Sequence, residues 1–447
     1  MMDLLRIFRI FCRFRISAYI GAKFLPKTLY FIIKIGELFT PKKQSKNFGE
    51  ALSSALKEMG PVYIKFGQSL SARPDLIGEE VASYLISLQD QLPPFNASIA
   101  RVILEQELGK KIDDVFLSFN DEPIAAASVA QVHKAKLKNG ADVAVKILRP
   151  NIAVEYERDI KLLYFLSNLV AHILPKKYER FKARELVDLF NTSMQIELDL
   201  RLEAAAAEEM RGNFNESVYI PEIYWDYTSG RSLVSEWIDG ISVYDKKALI
   251  KAGLNLDDIA AKLAVMFFNQ AFRDGFFHAD LHPGNVLITK EGQVALVDFG
   301  IMGRLRGKDR FAIAEILYAL LQNDYIRVAE IHIEVGYVPE DTNIFLFAQS
   351  CRVVCQPIIN QSACDISIGK LLEALLEMAV SFNMKPQHQL FLLQKTIIVL
   401  EGIGKTLDPD INMWKLAEPW IKKWAGKNIS PEAKLLRLIK GFLKKLV

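Results

Sequence analysis

An aspartate, an asparagine and a second aspartate at fixed spacing constrain this chain more than any other feature. They stand in Phe277-His278-Ala279-Asp280-Leu281-His282-Pro283-Gly284-Asn285-Val286-Leu287-Ile288 and in Val297-Asp298-Phe299-Gly300. Asp280 precedes Asn285 by five residues and Asn285 precedes Asp298 by thirteen, which fits two loops joined by a short hairpin. The residue types match phosphoryl transfer: a carboxylate beside the attacking hydroxyl or water, then an amide oxygen and a carboxylate able to hold magnesium on phosphates. A fold that hosts them must bring two loops together.

With 447 residues the chain is long enough for two lobes or more. Apolar residues make up 51% and mean hydropathy is +0.13, high for a soluble protein, although charged residues reach 24%. Composition therefore hints at membrane contact. The net charge of +3 says little by itself, and both termini are basic. Cys12, Cys351, Cys355 and Cys364 form no CxxC pair or disulfide-like framework, which suits buried thiols in a reducing compartment. No run of eighteen apolar residues occurs, so membrane association is expected to be peripheral. Scattered lysines with few clustered aromatics give no ground for nucleic-acid binding.

Residues 1–24 set Leu4, Ile7, Phe8, Phe11 and Phe14 on one helical stripe with Arg6, Arg9 and Arg13 elsewhere on the wheel. Such a helix can lie in an anionic membrane surface, serve as a transit peptide, or dock on the protein's own core. Residues 431–447 carry a similar stripe of Leu435, Leu438, Ile439, Phe442 and Leu446 beside five basic residues. Between residues 49 and 119 the spacing is mostly helical. Gly60-Pro61 ends one helix and opens the next, which carries Lys65 and Gln68 three apart on one face. Alone, that pair reads as a solvated face.

From Pro123 the pattern turns to strands. Ala125-Ala126-Ala127-Ser128-Val129-Ala130-Gln131-Val132-His133 leads to an Asn139-Gly140 hairpin turn and the apolar run Val143-Ala144-Val145-Lys146-Ile147-Leu148. A lysine inside such a run is costly unless paired. In a kinase-like fold it holds the α and β phosphates of ATP while a helix glutamate holds the lysine; an edge strand with an outward lysine is the alternative. Kinases put glycines in the preceding loop, whereas Ala125 to Ala127 here should be stiffer, implying a different phosphate pose or nucleotide selectivity.

Residues 152–215 read as helical, with Glu197, Asp199 and Glu203 as surplus acids. Asp199 and Glu203 lie at i and i+4 and Glu197 nearly opposite. Glu203 is the natural partner of Lys146, and the other acids want a second cation. Two strands, Pro221 to Tyr227 and Ser232 to Gly240, end in a hinge where backbone groups of Glu236 to Ile238 could meet adenine. Beyond Gly300 the chain is mostly helical again.

Taken together these segments resemble the UbiB family of atypical kinase-like ATPases, which support ubiquinone biosynthesis. The resemblance runs from about residue 45 to about residue 425. Lys65-Phe66-Gly67-Gln68 fits its KxGQ motif, Ala125 to His133 its alanine-rich loop and Glu197-Leu198-Asp199 its ExD motif, with HADLHPGN and DFG completing the set. What this implies is an α+β, two-lobed protein-kinase-like fold with a helical N-terminal KxGQ extension. The corresponding segments are a basic N-terminal piece (1–45), the extension (46–120), an N-lobe (121–238), a C-lobe (239–425) and a basic C-terminal helix (426–447).

The resemblance further implies that the KxGQ helices obstruct a protein substrate and that Lys65 meets Glu197 or Asp199. Lys65, Gln68, Glu197 and Asp199 then act as a regulatory set, with Lys65 also catalytic. ATP and Mg2+ are the expected cofactors: Ala125, Ala126, Ala127, Ser128, Val129, Lys146, Glu236 and Ile238 for the nucleotide, Asn285 and Asp298 for the metal, Asp280, Lys146 and Glu203 for the chemistry. Expected partners are membrane lipids or prenylated phenolic quinone precursors and other ubiquinone-biosynthesis proteins. The expected location is the cytoplasmic face of a bacterial inner membrane, or the mitochondrial inner membrane in a eukaryote. Bacterial members usually continue into two C-terminal membrane spans absent from this sequence, so the amphipathic ends are expected to substitute. His278 is read as a brace for the catalytic loop, and His282 stands where protein kinases carry a lysine near the γ-phosphate. Competing readings are a small-molecule kinase of the aminoglycoside or choline kinase type and a nucleotide-gated scaffold for quinone-biosynthetic enzymes.

Overall fold

Alternation of apolar residues along Asp142–Leu148 builds the first of two compact units. Val143, Val145 and Ile147 are fully buried on one face, while Ala144 and Lys146 lie on the other, and each fully buried branched side chain contributes about 1.5–3 kcal/mol. The computed structural model describes residues 2–20, 27–71, 77–86, 88, 93–173, 183–213, 218–359, 367–384, 387–411 and 413–428. The expected C-terminal amphipathic helix lies outside them.

The first unit comprises Met1–Ala205 and Glu222–Trp237. Its antiparallel sheet runs in the order Phe116–Phe119, Ala130–Leu137, Asp142–Leu148, Ser232–Glu236, with the short strand Ala125–Ala126 paired to Ala130–Leu137. Helix Ala97–Leu108 packs Ala100, Ile103 and Leu104 onto the Val143 face. The hairpin turn is completed by Gly140 at φ 91°, a conformation that favours glycine.

Three expectations for this unit are corrected. The first strand begins at Phe116 rather than after Pro123. Pro221 to Tyr227 is no strand: it makes one isolated bridge, Ile223 to Ser235, and a 3-10 turn over Trp225–Tyr227. The helix through the acids is broken, since Ala183–Glu197 ends and Leu200–Asn213 begins anew. At the break Leu200 N donates to Gly230 O (3.0 Å), and Asp199 Oδ1 accepts from Arg201 N (3.2 Å), the local bonding by which Asp competes with a continuing helix.

The N-terminal helix Met2–Arg13 packs against helices Lys27–Leu38 and Phe48–Met59, burying Ile10 and Cys12. Of the expected membrane stripe, Phe14 is buried and Ile7, Phe8 and Phe11 are half-buried. Apolar exposure concentrates instead on Lys27–Leu38 and its end, where Phe31, Ile32 and Ile35 are exposed and Leu38 and Phe39 each keep 83% of their surface. No helix of the described residues is long and apolar enough to cross a membrane.

The second unit comprises Ala206–Pro221 and Ile238–Val447. A four-stranded sheet runs Val218–Tyr219, Val294–Leu296, Val286–Thr289, Gly240–Ser242. A separate ribbon pairs Phe276–His278 with Met302–Arg304. Helix Leu256–Phe268 runs into a π-helical turn, Asn269–Asp274, ahead of that ribbon. Helices Gly307–Leu321, Tyr325–Glu334, Ile344–Ile359, Ile368–Ser381, His388–Leu407 and Met413–Asn428 complete the unit.

Candidate functional site

In the first unit Lys146 reaches off the non-core face of its strand to Glu203, with Nζ 2.8 and 3.0 Å from the two carboxylate oxygens. Glu203 is buried and the Lys146 side chain nearly so, so each charge satisfies the other where water is scarce. Glu203 sits in the first turn of Leu200–Asn213, a helix that exists as a separate element because of the break at Asp199.

The KFGQ segment lies on helix Pro61–Ser71. Lys65 Nζ is 3.2 Å from Glu197 Oε2. A Cβ on Gly67 would come within 2.4 Å of Leu88 Cδ1 and 2.8 Å of Leu56 Cδ1, so that helix can approach its neighbours only with glycine there. Gln68 Nε2 donates to Leu88 O (2.8 Å). Of the two acids expected to meet Lys65, Glu197 is the one beside it, while Asp199 binds the Arg201 guanidinium bidentately, at 2.8 and 2.7 Å. The hydrogen bond from Arg201 holds the Asp199 carboxyl below its ordinary pKa.

The alanine-rich loop is pinned from outside. Ala127 N donates to Ala130 O (2.8 Å), and the Arg149 guanidinium donates from Nε and Nη2 to Ala127 O (3.0 and 2.8 Å). Ser128 is fully buried, and its Oγ has no hydrogen-bond partner among the described residues. Gln131 accepts from Phe95 N (3.0 Å) and donates to His133 Nε2 (2.8 Å), whose Nδ1 donates to Asn120 O (2.8 Å). Burial lowers the His133 pKa, in keeping with that neutral tautomer. Arg149, Gln131 and His133 fix this loop, and the sequence pattern singled out none of the three for that role.

At the expected adenine hinge two backbone donors are already engaged: Glu236 N donates to Glu222 O (2.8 Å) and Trp237 N to Asp142 O (3.0 Å). Ile238 N–H makes no backbone hydrogen bond among the described residues.

In the second unit the residues of the expected catalytic loop are locked by local hydrogen bonds. Val286–Thr289 and Val294–Leu296 form the hairpin between the two loops, and Val297 N donates to Asn285 O (3.0 Å). Buried His278 accepts from Asp280 N at Nδ1 (3.2 Å) and donates from Nε2 to Asp298 O (2.7 Å). Burial depresses its pKa, so the imidazole braces both loops as a neutral group. Asn285 is buried, with Nδ2 donating to Asp280 O (3.1 Å); that fixes the amide and leaves Oδ1 as its acceptor. Asp298 adopts φ 66°, a left-handed conformation that Asp tolerates better than most residues, and its Oδ1 accepts from Gly300 N (3.1 Å).

Asp280 is flanked by two basic side chains. His282 Nε2 lies 3.8 Å from Oδ2, and Lys395 Nζ, from helix His388–Leu407, lies 3.8 Å from Oδ1. Half-buried Tyr244 also feels this carboxylate: burial first, and then the Asp280 charge, push its phenol up. Nothing in the local sequence points to Lys395, which reaches the loop only through tertiary packing. Among the described residues no group of three or more His, Cys, Asp or Glu side chains could hold a metal.

The ABC1 atypical kinase-like domain matches residues 87–332 and the UbiB helical domain residues 351–412. A Marinobacter nauticus protein described as "Probable protein kinase UbiB" is 42% identical over 446 residues, covering 96% of this chain and 80% of the relative. A Vibrio cholerae protein of the same description is 43% identical over 395 residues, covering 87% and 72%. Among solved structures the chain is similar to Rv3197 of Mycobacterium tuberculosis, determined in complex with erythromycin, with a TM-score of 0.54, 25% identity, and 88% and 96% of the two chains covered. The fold is kinase-like and α+β.

Proposed function

Since this chain belongs to the UbiB family of atypical kinase-like proteins, we propose that it is a Mg2+-dependent ATPase or atypical kinase. It serves ubiquinone biosynthesis by acting on a lipid-like molecule such as a prenylated phenolic quinone precursor. One observation carries the reading: Lys146, within the otherwise apolar run Val143 to Leu148, is held by both oxygens of Glu203. That is the arrangement a kinase uses to present a lysine to the α and β phosphates.

In this reading Ala125 to Val129 back the phosphates, Ile238 meets adenine, and Asp280 positions or deprotonates the attacking oxygen. Asn285 and Asp298 hold Mg2+, which when bound neutralises phosphate charge. The donor set fits: a fixed amide oxygen and a carboxylate are hard oxygen ligands, and Mg2+ takes most of its remaining coordination from phosphates and water. The buried Ser128 hydroxyl, which has no partner among the described residues, supports nucleotide contact at the alanine-rich loop.

The largely buried Lys65–Glu197 pair and the tight seat of Gly67 support a fixed KFGQ helix as the regulatory element, with Gln68 as its anchor rather than a moving part. Attachment to the membrane is peripheral, through the exposed face of Phe31, Ile35, Leu38 and Phe39 bordered by Lys27 and Lys42. That combination of apolar area and positive charge suits anionic lipid, and a quinone-biosynthetic assembly is the natural neighbour there.

ATP turnover that collapses in Asp298→Asn is the expected result, and turnover equal to wild type in that variant overturns the assignment. Co-sedimentation with cardiolipin-containing vesicles, compared with Leu38→Asp/Phe39→Asp, tests the membrane face. The macrolide in the Mycobacterium tuberculosis complex favours, as a second reading, a kinase for a soluble small molecule. Label transfer from ATP to a soluble alcohol or amine faster than hydrolysis would establish it.

A further inference from the structure

The side chain of Lys395 stands beside the catalytic loop without belonging to it. Its helix, His388–Leu407, is fixed in the second unit: Leu393, Thr396 and Ile397 are buried, and Gln389 Oε1 accepts from Arg304 N (2.8 Å) at the edge of the strand pair that carries His278. From that rigid base Nζ reaches to 3.8 Å from Asp280 Oδ1, with half of the Lys395 side chain still exposed. The two oxygens of Asp280 thus face different groups. Oδ2 faces His282, whose Nδ1 accepts from Gly284 N (3.0 Å), directing the Nε2 proton toward the carboxylate. An imidazole is cationic only when protonated, whereas a lysine brings a full positive charge at neutral pH.

We infer that Lys395 is the γ-phosphate cation of this site, supplied from the C-terminal helical segment in place of the lysine that a kinase catalytic loop carries. The inference rests on the ATP reading above. The chemistry follows from Asp280: a carboxylate that positions the attacking oxygen sits about 3 Å from it, and that oxygen in turn about 3 Å from the phosphorus in a reactive pose. An ammonium group 3.8 Å from Asp280 on a flexible four-carbon stem can turn from the carboxylate to an equatorial oxygen of the transferred phosphoryl group. There it opposes charge that grows in the transition state. Without nucleotide the same ammonium neutralises Asp280. Lys395 therefore distinguishes ATP, which has a γ-phosphate, from ADP, which has none.

Calorimetric titration of ATP and of ADP, each with Mg2+, into wild type, Lys395→Met and Lys395→Arg tests this. Lys395→Met is expected to weaken ATP about tenfold, leave ADP within twofold, and lower kcat about a hundredfold, on the scale of losing one donor to developing charge. Lys395→Arg is expected to restore most of the ATP preference, and melting temperatures should stay together because the side chain is half exposed. An ATP-to-ADP affinity ratio in Lys395→Met equal to that of wild type overturns the inference even if turnover falls. A wild-type protein that binds neither nucleotide overturns the ATP reading itself, and the inference with it.

Discussion

Lys65 Nζ and Glu197 Oε2 lie 3.2 Å apart, with only 12% and 13% of their side chains exposed. The pair joins helix Pro61–Ser71 to helix Ala183–Glu197. Removing one partner of a largely buried pair takes away the charge that faces the other and costs up to about 3–5 kcal/mol, whereas replacing both by apolar groups can be neutral. Lys65→Met and Glu197→Leu should each lower the denaturation midpoint of the protein, and the double variant should recover most of the loss. A double-mutant cycle by urea unfolding measures this; purely additive losses would mean the pair does not couple.

Gly67 offers a steric counterpart. The Leu56 and Leu88 methyls that an added Cβ would meet are themselves buried, so neither can swing into solvent. Gly67→Ala is expected to destabilise by about 1–3 kcal/mol, the range for overpacking. Guanidinium unfolding checks it, and an unchanged midpoint would show that the leucines re-seat freely.

Ser128 separates stability from binding. A buried hydroxyl without a partner is costly to the fold, so Ser128→Ala should leave the melting temperature unchanged or raise it. If the loop meets phosphate as proposed, the same variant binds ATP several-fold more weakly. Equal ATP affinity in the two proteins would remove Ser128 from the nucleotide site.

The protein should also lose stability in mild acid. His332 donates from Nδ1 to Val328 O (2.8 Å) between the rings of Tyr337 and Phe347, and burial pushes its pKa down to about 4. Its folded pKa is below the ordinary value of 6.5, so between these values the unfolded chain takes up a proton that the folded one refuses. This contribution is complete above pH 6.5 and is lost as pH falls toward 4, at up to about 1.4 kcal/mol per pH unit. Burial depresses His133 and His278 in the same direction. In His332→Gln the pH slope of the unfolding free energy between 6.5 and 4 should be shallower by about one proton; an unchanged slope would assign the acid sensitivity elsewhere.

Local chemistry made much of this legible. A lysine in an apolar strand demanded a carboxylate, and a run of acids offered one in Glu203; Asn139-Gly140 announced its turn. The helix break at Leu198–Asp199 was not legible, because Glu197 to Glu203 holds neither Gly nor Pro and mostly good helix formers. What breaks it is the Arg201 contact and the Gly230 carbonyl, the latter a tertiary partner. The N-terminal stripe misled for a related reason: periodicity reports that a helix has an apolar face and not what covers it, and here part of that face is covered by Lys27–Leu38. Lys395 was invisible because a lone lysine on a helix reads as a solvated one.

The break at Asp199 also decides where this polypeptide can change length. Each inserted residue turns the remainder of a helix by about 100°, so an insertion within Ala183–Glu197 or near Glu203 would swing a glutamate away from its lysine. At Leu198–Asp199 the helical phase is already interrupted, and the two ion pairs keep independent rotational registers. Alanine-insertion scanning should find a single permissive joint there, flanked on both sides by positions where one added residue abolishes folding or function.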